Sequence, residues 1–299
     1  MKNGDTIKPG GKIAGFNVLA ELGRGAASVI YLVQDPKSKQ VWALKHVLRH
    51  TPKDQRFLDQ TEREYEVSSK LDSDIVRKVH KLIKIRKMMS VREMCLLMEY
   101  IDGVSIELRP PKTFVSAVDI FRRVAMGLAH MHAQGYVHAD MKPNNIVVTE
   151  SGDVKVIDLG QSCPIGDVKE RIQGTPDYIA PEQVHRRAIT PRTDIYNLGA
   201  SIYWVLTGRH IPTALPKGDS LVSSLDDEFI EKPDPIHEIN PRIPKRLCDL
   251  VMHCVEVNPE NRPENMQHVI DRLDLIYAQL VAEDEIKAGN QKAGVGDDD

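Results

Sequence analysis

Two short apolar runs, Ile146 to Val148 and Val154 to Ile157, lie between polar residues of unlike chemistry. His138-Ala139-Asp140-Met141-Lys142-Pro143-Asn144-Asn145 precedes the first run, and Asp158-Leu159-Gly160 follows the second. Apolar runs of that length read as strands. An isolated Asp or Asn is usually a turn former, so none of these residues is informative alone, whereas the ordered set is. Phosphate transfer to a hydroxyl needs a carboxylate to orient the nucleophile and take its proton, a cation beside the phosphate, and oxygen ligands for magnesium. Asp140, Lys142, Asn145 and Asp158 meet those needs in order.

Other motifs stand in sequence around this core. Gly23-Arg24-Gly25-Ala26-Ala27-Ser28-Val29 falls between strand-like segments, where glycines let backbone N–H groups approach phosphates. Val41-Trp42-Ala43-Leu44-Lys45 sets a lysine at the end of an apolar run, and Gly174-Thr175-Pro176-Asp177-Tyr178-Ile179-Ala180-Pro181-Glu182 precedes Asn258-Pro259-Glu260-Asn261-Arg262-Pro263. In this order the motifs resemble the protein kinase superfamily, specifically the eukaryotic-like (Hanks-type) serine/threonine kinases of bacteria, over roughly residues 14 to 280. The resemblance implies an α+β bilobal kinase fold, with a small antiparallel-sheet N-lobe carrying one main helix and a larger helical C-lobe. The expected division is a flexible lead-in at 1–12, the N-lobe at 13–98, the C-lobe at 99–282 and a disordered acidic tail at 283–299.

At 299 residues the chain is long enough for two lobes. A formal net charge of −3 gives no bulk field favouring nucleic acid or an anionic membrane. The longest apolar run, near Ile195 to Leu206, is too short to span a bilayer, and the N-terminus lacks a signal-peptide core. Cys95, Cys163, Cys248 and Cys254 show neither metal-ligand spacing nor a disulfide framework, which points to reducing cytosol. Many bacterial relatives carry a transmembrane helix and a sensor domain after the kinase domain, so a cytoplasmic, soluble kinase or an excised catalytic domain is expected.

Periodicity predicts a hairpin over Phe16 to Val33, a third strand at Val41 to Val47, a helix over Lys53 to Leu71, and strands at Leu82 to Ile85 and Met94 to Tyr100. Helices follow at Ala117 to Gln134, Asp194 to Leu206, Lys245 to Val255 and Met266 to Ala282. Ala288 to Asp299 has nothing to bury and reads as disordered.

The resemblance assigns the ATP site to Leu22, Gly23, Gly25, Val29, Ala43, Lys45, Met98, Glu99, Ile101 and Val147. Lys45 would pair with a carboxylate on the following helix. Glu62, Glu64 and Glu66 are all available, and the family spacing favours Glu64. Met98 would be the gatekeeper, the Glu99 carbonyl and Ile101 amide would meet the adenine edge, and Val29, Ala43 and Val147 would enclose the base. Asp140 would orient and deprotonate the substrate hydroxyl, with Lys142 on the γ-phosphate. Asn145 and Asp158 would hold Mg²⁺, with Mn²⁺ as an alternative ion. Thr175 would position substrate between Asp140 and Lys142, while His138, Glu182, Asp194 and Arg262 are expected to be structural, Glu182 pairing with Arg262.

Four departures from the family pattern stand out. Ser28 replaces a third glycine, Leu159 replaces a phenylalanine, and Ser68 stands where an apolar residue is usual. That serine needs a hydrogen-bond partner and would leave its helix loosely held. Ala139 replaces the arginine that reads a phosphate on the activation segment, so activation-segment phosphorylation is expected to be dispensable. Protein substrates with Ser or Thr acceptors, including the chain itself, are the expected partners. A homodimer is allowed, but nothing in the sequence indicates one. The competing reading is a pseudokinase-like nucleotide-binding scaffold, against which Lys45, Asp140, Asn145 and Asp158 all stand intact. The basic stretch from Arg77 to Arg92 reads as a solvated strand edge.

Overall fold

The computed structural model describes residues 6–25, 27–87, 90–213, 215 and 230–293. The chain divides into two compact units, Met1–Val104 with Val147–Cys163, and Ser105–Ile146 with Pro164–Asp299.

The first unit is built on a six-stranded antiparallel sheet comprising β1 (Lys12–Ile13), β2 (Phe16–Arg24), β3 (Ser28–Gln34), β4 (Val41–Leu48), β5 (Val79–Lys87) and β6 (Ser90–Met98). Their order is β1-β2-β3-β4-β6-β5, which leaves β5 at an edge. Successive side chains of a strand point to opposite faces, and the register uses both. Val29, Tyr31, Val33, Leu44, Cys95 and Leu97 join Ile13 and Val18 in one core. Ala43, Leu96 and Met98 form another, against which Ile30 packs. Helix α1 (Gln55–Ser68) interrupts the strands, and a small sheet joins Gly103–Ser105, Ile146–Thr149 and Val154–Val156. The expected loose lead-in differs in its described part. Ile7 packs on the first core and donates its N–H to the Tyr31 hydroxyl at 3.1 Å, so an apolar anchor orders these residues.

The second unit is helical: α2 (Phe114–Ala133), α3 (Pro181–Val184), α4 (Pro191–Thr207), α5 (Ile236–Ile239), α6 (Lys245–Cys254) and α7 (Met266–Ala293). Thr113 caps α2 by accepting from the Ser116 N–H at 3.1 Å. Helices α4 and α6 approach closely at Gly199, where a Cβ would lie 2.6 Å from that of Cys254, so no larger residue fits. The last helix corrects the expected tail, since it continues past 282 to Ala293. Ala282-Glu283-Asp284-Glu285-Ile286-Lys287-Ala288 is rich in helix formers, and extending a helix already anchored by packing costs far less than nucleating one. Residues 294–299 lie outside the described residues.

One buried ion pair organises this unit. Glu182 receives Arg262 bidentately at 2.8 and 2.9 Å and the Thr193 hydroxyl at 2.8 Å. The guanidinium also donates to the carbonyls of Glu256, Val257 and Arg192, so all five of its N–H groups are placed. It lies 4.7 Å from the centre of the Tyr196 ring. Glu182→Ala leaves that buried charge unpaired and should lower the unfolding free energy by roughly 3–5 kcal/mol, measured by denaturant titration.

All four cysteines are free and buried. Burial pushes the thiols of Cys95 and Cys254 each up to about 12. Near pH 8, where a thiol with the ordinary pKa of about 8.5 is readily alkylated, iodoacetamide should leave both unmodified in the native chain and label them only on unfolding, as read by mass spectrometry.

Candidate active site

In the first unit, Lys45 sits at the centre of an acidic cluster. Its Nζ lies 2.7 Å from Glu64 Oε2 and 3.6 Å from Asp158 Oδ1. Glu64 is inward-facing because α1 buries Leu58, Thr61, Glu64, Val67 and Ser68 along one stripe. Glu62 instead pairs with Lys84 at the surface, and Glu66 is exposed. Burial alone would lower the Lys45 pKa, but the Glu64 and Asp158 carboxylates outweigh it and hold the pKa well above the ordinary lysine value. Lys45 is therefore a permanent cation. Arg77 reaches within 4.0 Å of the other Glu64 oxygen, so it is part of this cluster rather than of the solvated basic edge.

Asp158 adopts the left-handed conformation, with φ of 65°, and accepts the Gly160 N–H at 3.4 Å. Its side chain is nearly half exposed, leaving a hard oxygen donor beside Lys45. A cavity of about 260 Å³ is lined here by Gly25, Ser28, Lys45, Gln60, Asp158 and Gln161 among others. A Cβ on Gly25 would fall 2.9 Å from the Ser28 hydroxyl, so the serine fills space that the glycine leaves.

The apolar slot differs from expectation at one position. Val29 packs in the core on the far face of the sheet, whereas Ile30 pairs in register with Lys45 and packs against Ala43, Leu96 and Met98. The two-residue period of the strand assigns the Lys45 face to Ile30. Glu99 commits its N–H to the Lys78 carbonyl at 2.9 Å, while its carboxylate binds Lys155 Nζ at 2.7 Å. Ile101 is half-buried, Leu22 is exposed, and Val147 is buried.

In the second unit, Asp140, Lys142 and Thr175 form a closed triangle. Lys142 Nζ donates to Asp140 Oδ2 at 3.0 Å and to Thr175 Oγ1 at 2.6 Å, and that hydroxyl donates to Asp140 Oδ1 at 2.8 Å. Buried Asn145 donates its Nδ2 to the Asp140 carbonyl at 2.9 Å, which leaves its Oδ1 as the acceptor end of the amide. Asp194 accepts the N–H groups of His138 and Ala139 at 2.9 and 2.8 Å. The His138 Nδ1 takes the Asp140 N–H at 3.2 Å. Ala139 is left-handed, with φ of 62°, a conformation costing a non-glycine residue about 1 kcal/mol. Gln183, which the sequence did not single out, is buried and bonded to the Ala139 carbonyl at 2.8 Å.

A protein kinase domain model matches residues 16–272. The chain belongs to the protein kinase family. It is 26% identical, over 90% of its length and 41% of the relative's, to a probable serine/threonine-protein kinase of Clostridium acetobutylicum. To the serine/threonine-protein kinase PknB of Mycobacterium tuberculosis it is 28% identical over 85% of its length, again 41% of the relative. It thus spans under half the length of these curated relatives. The crystal structure of the Mycobacterium tuberculosis PknI kinase domain matches with a TM-score of 0.68 and 22% identity, over 90% of this chain and 99% of that one. That likeness supports the bilobal fold. Among the described residues, no helix is long and apolar enough to cross a membrane.

Ser68 is buried, and its Oγ accepts the Val79 N–H at 3.2 Å. The end of α1 is thereby tied to the start of β5, in contrast to the loosely held helix expected from a serine at this site. Ser68→Ala strands that amide and should cost about 1–3 kcal/mol, a loss that shows in thermal unfolding.

Proposed function

We propose that this kinase domain transfers the γ-phosphate of ATP, with Mg²⁺, to serine or threonine hydroxyls of protein substrates, itself included, and that it does so without phosphate on its activation segment. The Asp140–Lys142–Thr175 triangle carries this reading, because it is assembled with Ala139 in place of a phosphate-reading arginine. Asp140 is oriented to accept a hydrogen bond from the incoming hydroxyl and take its proton as the oxygen attacks the γ-phosphorus. The bond from that phosphorus to the β-bridging oxygen breaks, and ADP leaves. Lys142 offsets charge on the moving phosphate, and Thr175 keeps both partners in place. Lys45, held by Glu64, would anchor the α- and β-phosphates in the cavity bordered by Gly25, with Gly23 in the same glycine-rich turn, Ile30, Ala43, Met98 and Val147 around the base and the Glu99 and Ile101 backbone at its edge.

The two residues that the resemblance assigns to magnesium each have suitable chemistry within their own unit. Asp158 would supply a half-exposed carboxylate from the first, and Asn145, whose amide nitrogen bonds the Asp140 carbonyl, would supply an amide oxygen from the second. Mg²⁺ is commonly held by one or two such ligands together with substrate phosphates. When bound, the ion neutralises charge on those phosphates. A cytoplasmic setting suits the buried, free thiols.

Steady-state transfer from ATP and Mg²⁺ to a generic basic protein should appear on serine and threonine, as mapped by mass spectrometry. It should fall by at least about a hundredfold in Asp140→Asn and persist after phosphatase removes all phosphate from the kinase. Nucleotide binding without transfer would favour a scaffold instead, and loss of turnover on dephosphorylation would refute phosphate-independent activity.

A further inference from the structure

The catalytic loop carries a strained peptide that needs holding from both ends. Ala139 is left-handed, with φ of 62°, and its N–H is fixed by Asp194. Its carbonyl, one bond from Asp140, is fixed by Gln183, whose Nε2 donates to Ala139 O at 2.8 Å and to Gln173 O at 3.3 Å. On the other side of the same carboxamide, Oε1 accepts from the Ala180 N–H at 3.0 Å and from Asn197 Nδ2 at 3.1 Å. An amide has two N–H donors and two lone pairs on its oxygen, and all four are used. Asn197 itself donates to the Tyr178 carbonyl at 2.7 Å. Gln183 is 4% exposed, so water does not compete for these bonds.

We infer that Gln183 is a positioning residue that couples the catalytic loop to the segment 173–180 and takes over the ordering that a loop phosphate and an arginine would otherwise supply. The inference deepens the kinase reading above and rests on it. A neutral amide has no charge to gain or lose and cannot be removed by a phosphatase. The Ala139–Asp140 peptide, and through it the Asp140 carboxylate, would therefore be held in the same place whether or not the segment carries phosphate. The carboxamide is also directional. A carboxylate at 183 would set oxygen against the Ala139 and Gln173 carbonyls, while a methionine of similar length would remove the bonds and keep the bulk.

The test uses the full chain, freed of phosphate and verified by intact mass, as wild type, Gln183→Met and Gln183→Glu. Measured are kcat and KM for transfer to a generic basic protein, and the affinity and stoichiometry of a non-hydrolysable ATP analogue. The expected result is a fall in kcat of about tenfold to a hundredfold, greater for Gln183→Glu, with analogue binding as in wild type. A merely structural defect would lower binding stoichiometry along with turnover. Should Gln183→Glu not fold, Gln183→Met decides. Independently of either variant, amide hydrogen exchange across 136–142 in wild type should be as slow in the phosphate-free chain as after incubation with ATP. Exchange that slows on phosphorylation, or variants whose kcat per binding site matches wild type, overturns the inference. If wild type transfers no phosphate, the kinase reading falls and the inference with it. If wild type transfers and the variants match it, only the inference falls.

Discussion

Asp194 is a carboxylate wholly withdrawn from water, and the second unit depends on how that charge is compensated. A buried ion without partners is strongly unfavourable. Here the His138 and Ala139 amides and the His132 ring, at 2.8 Å, converge on it. The same bonds hold Ala139 in a left-handed turn that an alanine would not otherwise keep. That turn carries the chain from His138 to Asp140. The backbone that presents the Asp140 carboxylate is thus set by a charge on another element.

The first unit uses a charge differently. Lys45 is buried, but Glu64 and Asp158 compensate it so fully that its pKa rises rather than falls. Desolvation and Coulomb attraction oppose each other there, and attraction wins because one carboxylate is in direct contact while the second stands just beyond it. Arg77 then shares Glu64 from the other side. The glutamate is shared between two cations, and its orientation does not rest on Lys45 alone.

Much of this was legible in the sequence because charged residues at apolar strand ends have few bland explanations when they recur in order. Lys45, Asp140 and Asp158 stand out for that reason, whereas Glu64 is picked from three glutamates of one helix only by the family spacing. The choice between Val29 and Ile30 depended on the phase of a two-residue alternation, which a glycine-rich turn obscures until the register with Lys45 is seen. Gln183 gave no signal at all. Its partners, Ala139, Gln173, Ala180 and Asn197, are backbone groups and one amide brought together only by folding. The last helix outruns its apolar pattern because local propensity sustains a helix already nucleated on a packed stem, with no need for further burial.

The edge position of β5 puts its basic residues on an open side of the sheet. An edge strand presents open N–H and C=O groups that invite a strand from another molecule. Along β5, Lys81, Lys84, Arg86 and Lys87 are exposed while Leu82, Ile83 and Ile85 turn partly inward. A second copy of the same strand would bring like charges face to face at strand spacing, which disfavours pairing. The rim of this open side is thus cationic, except where Glu62 offsets Lys84.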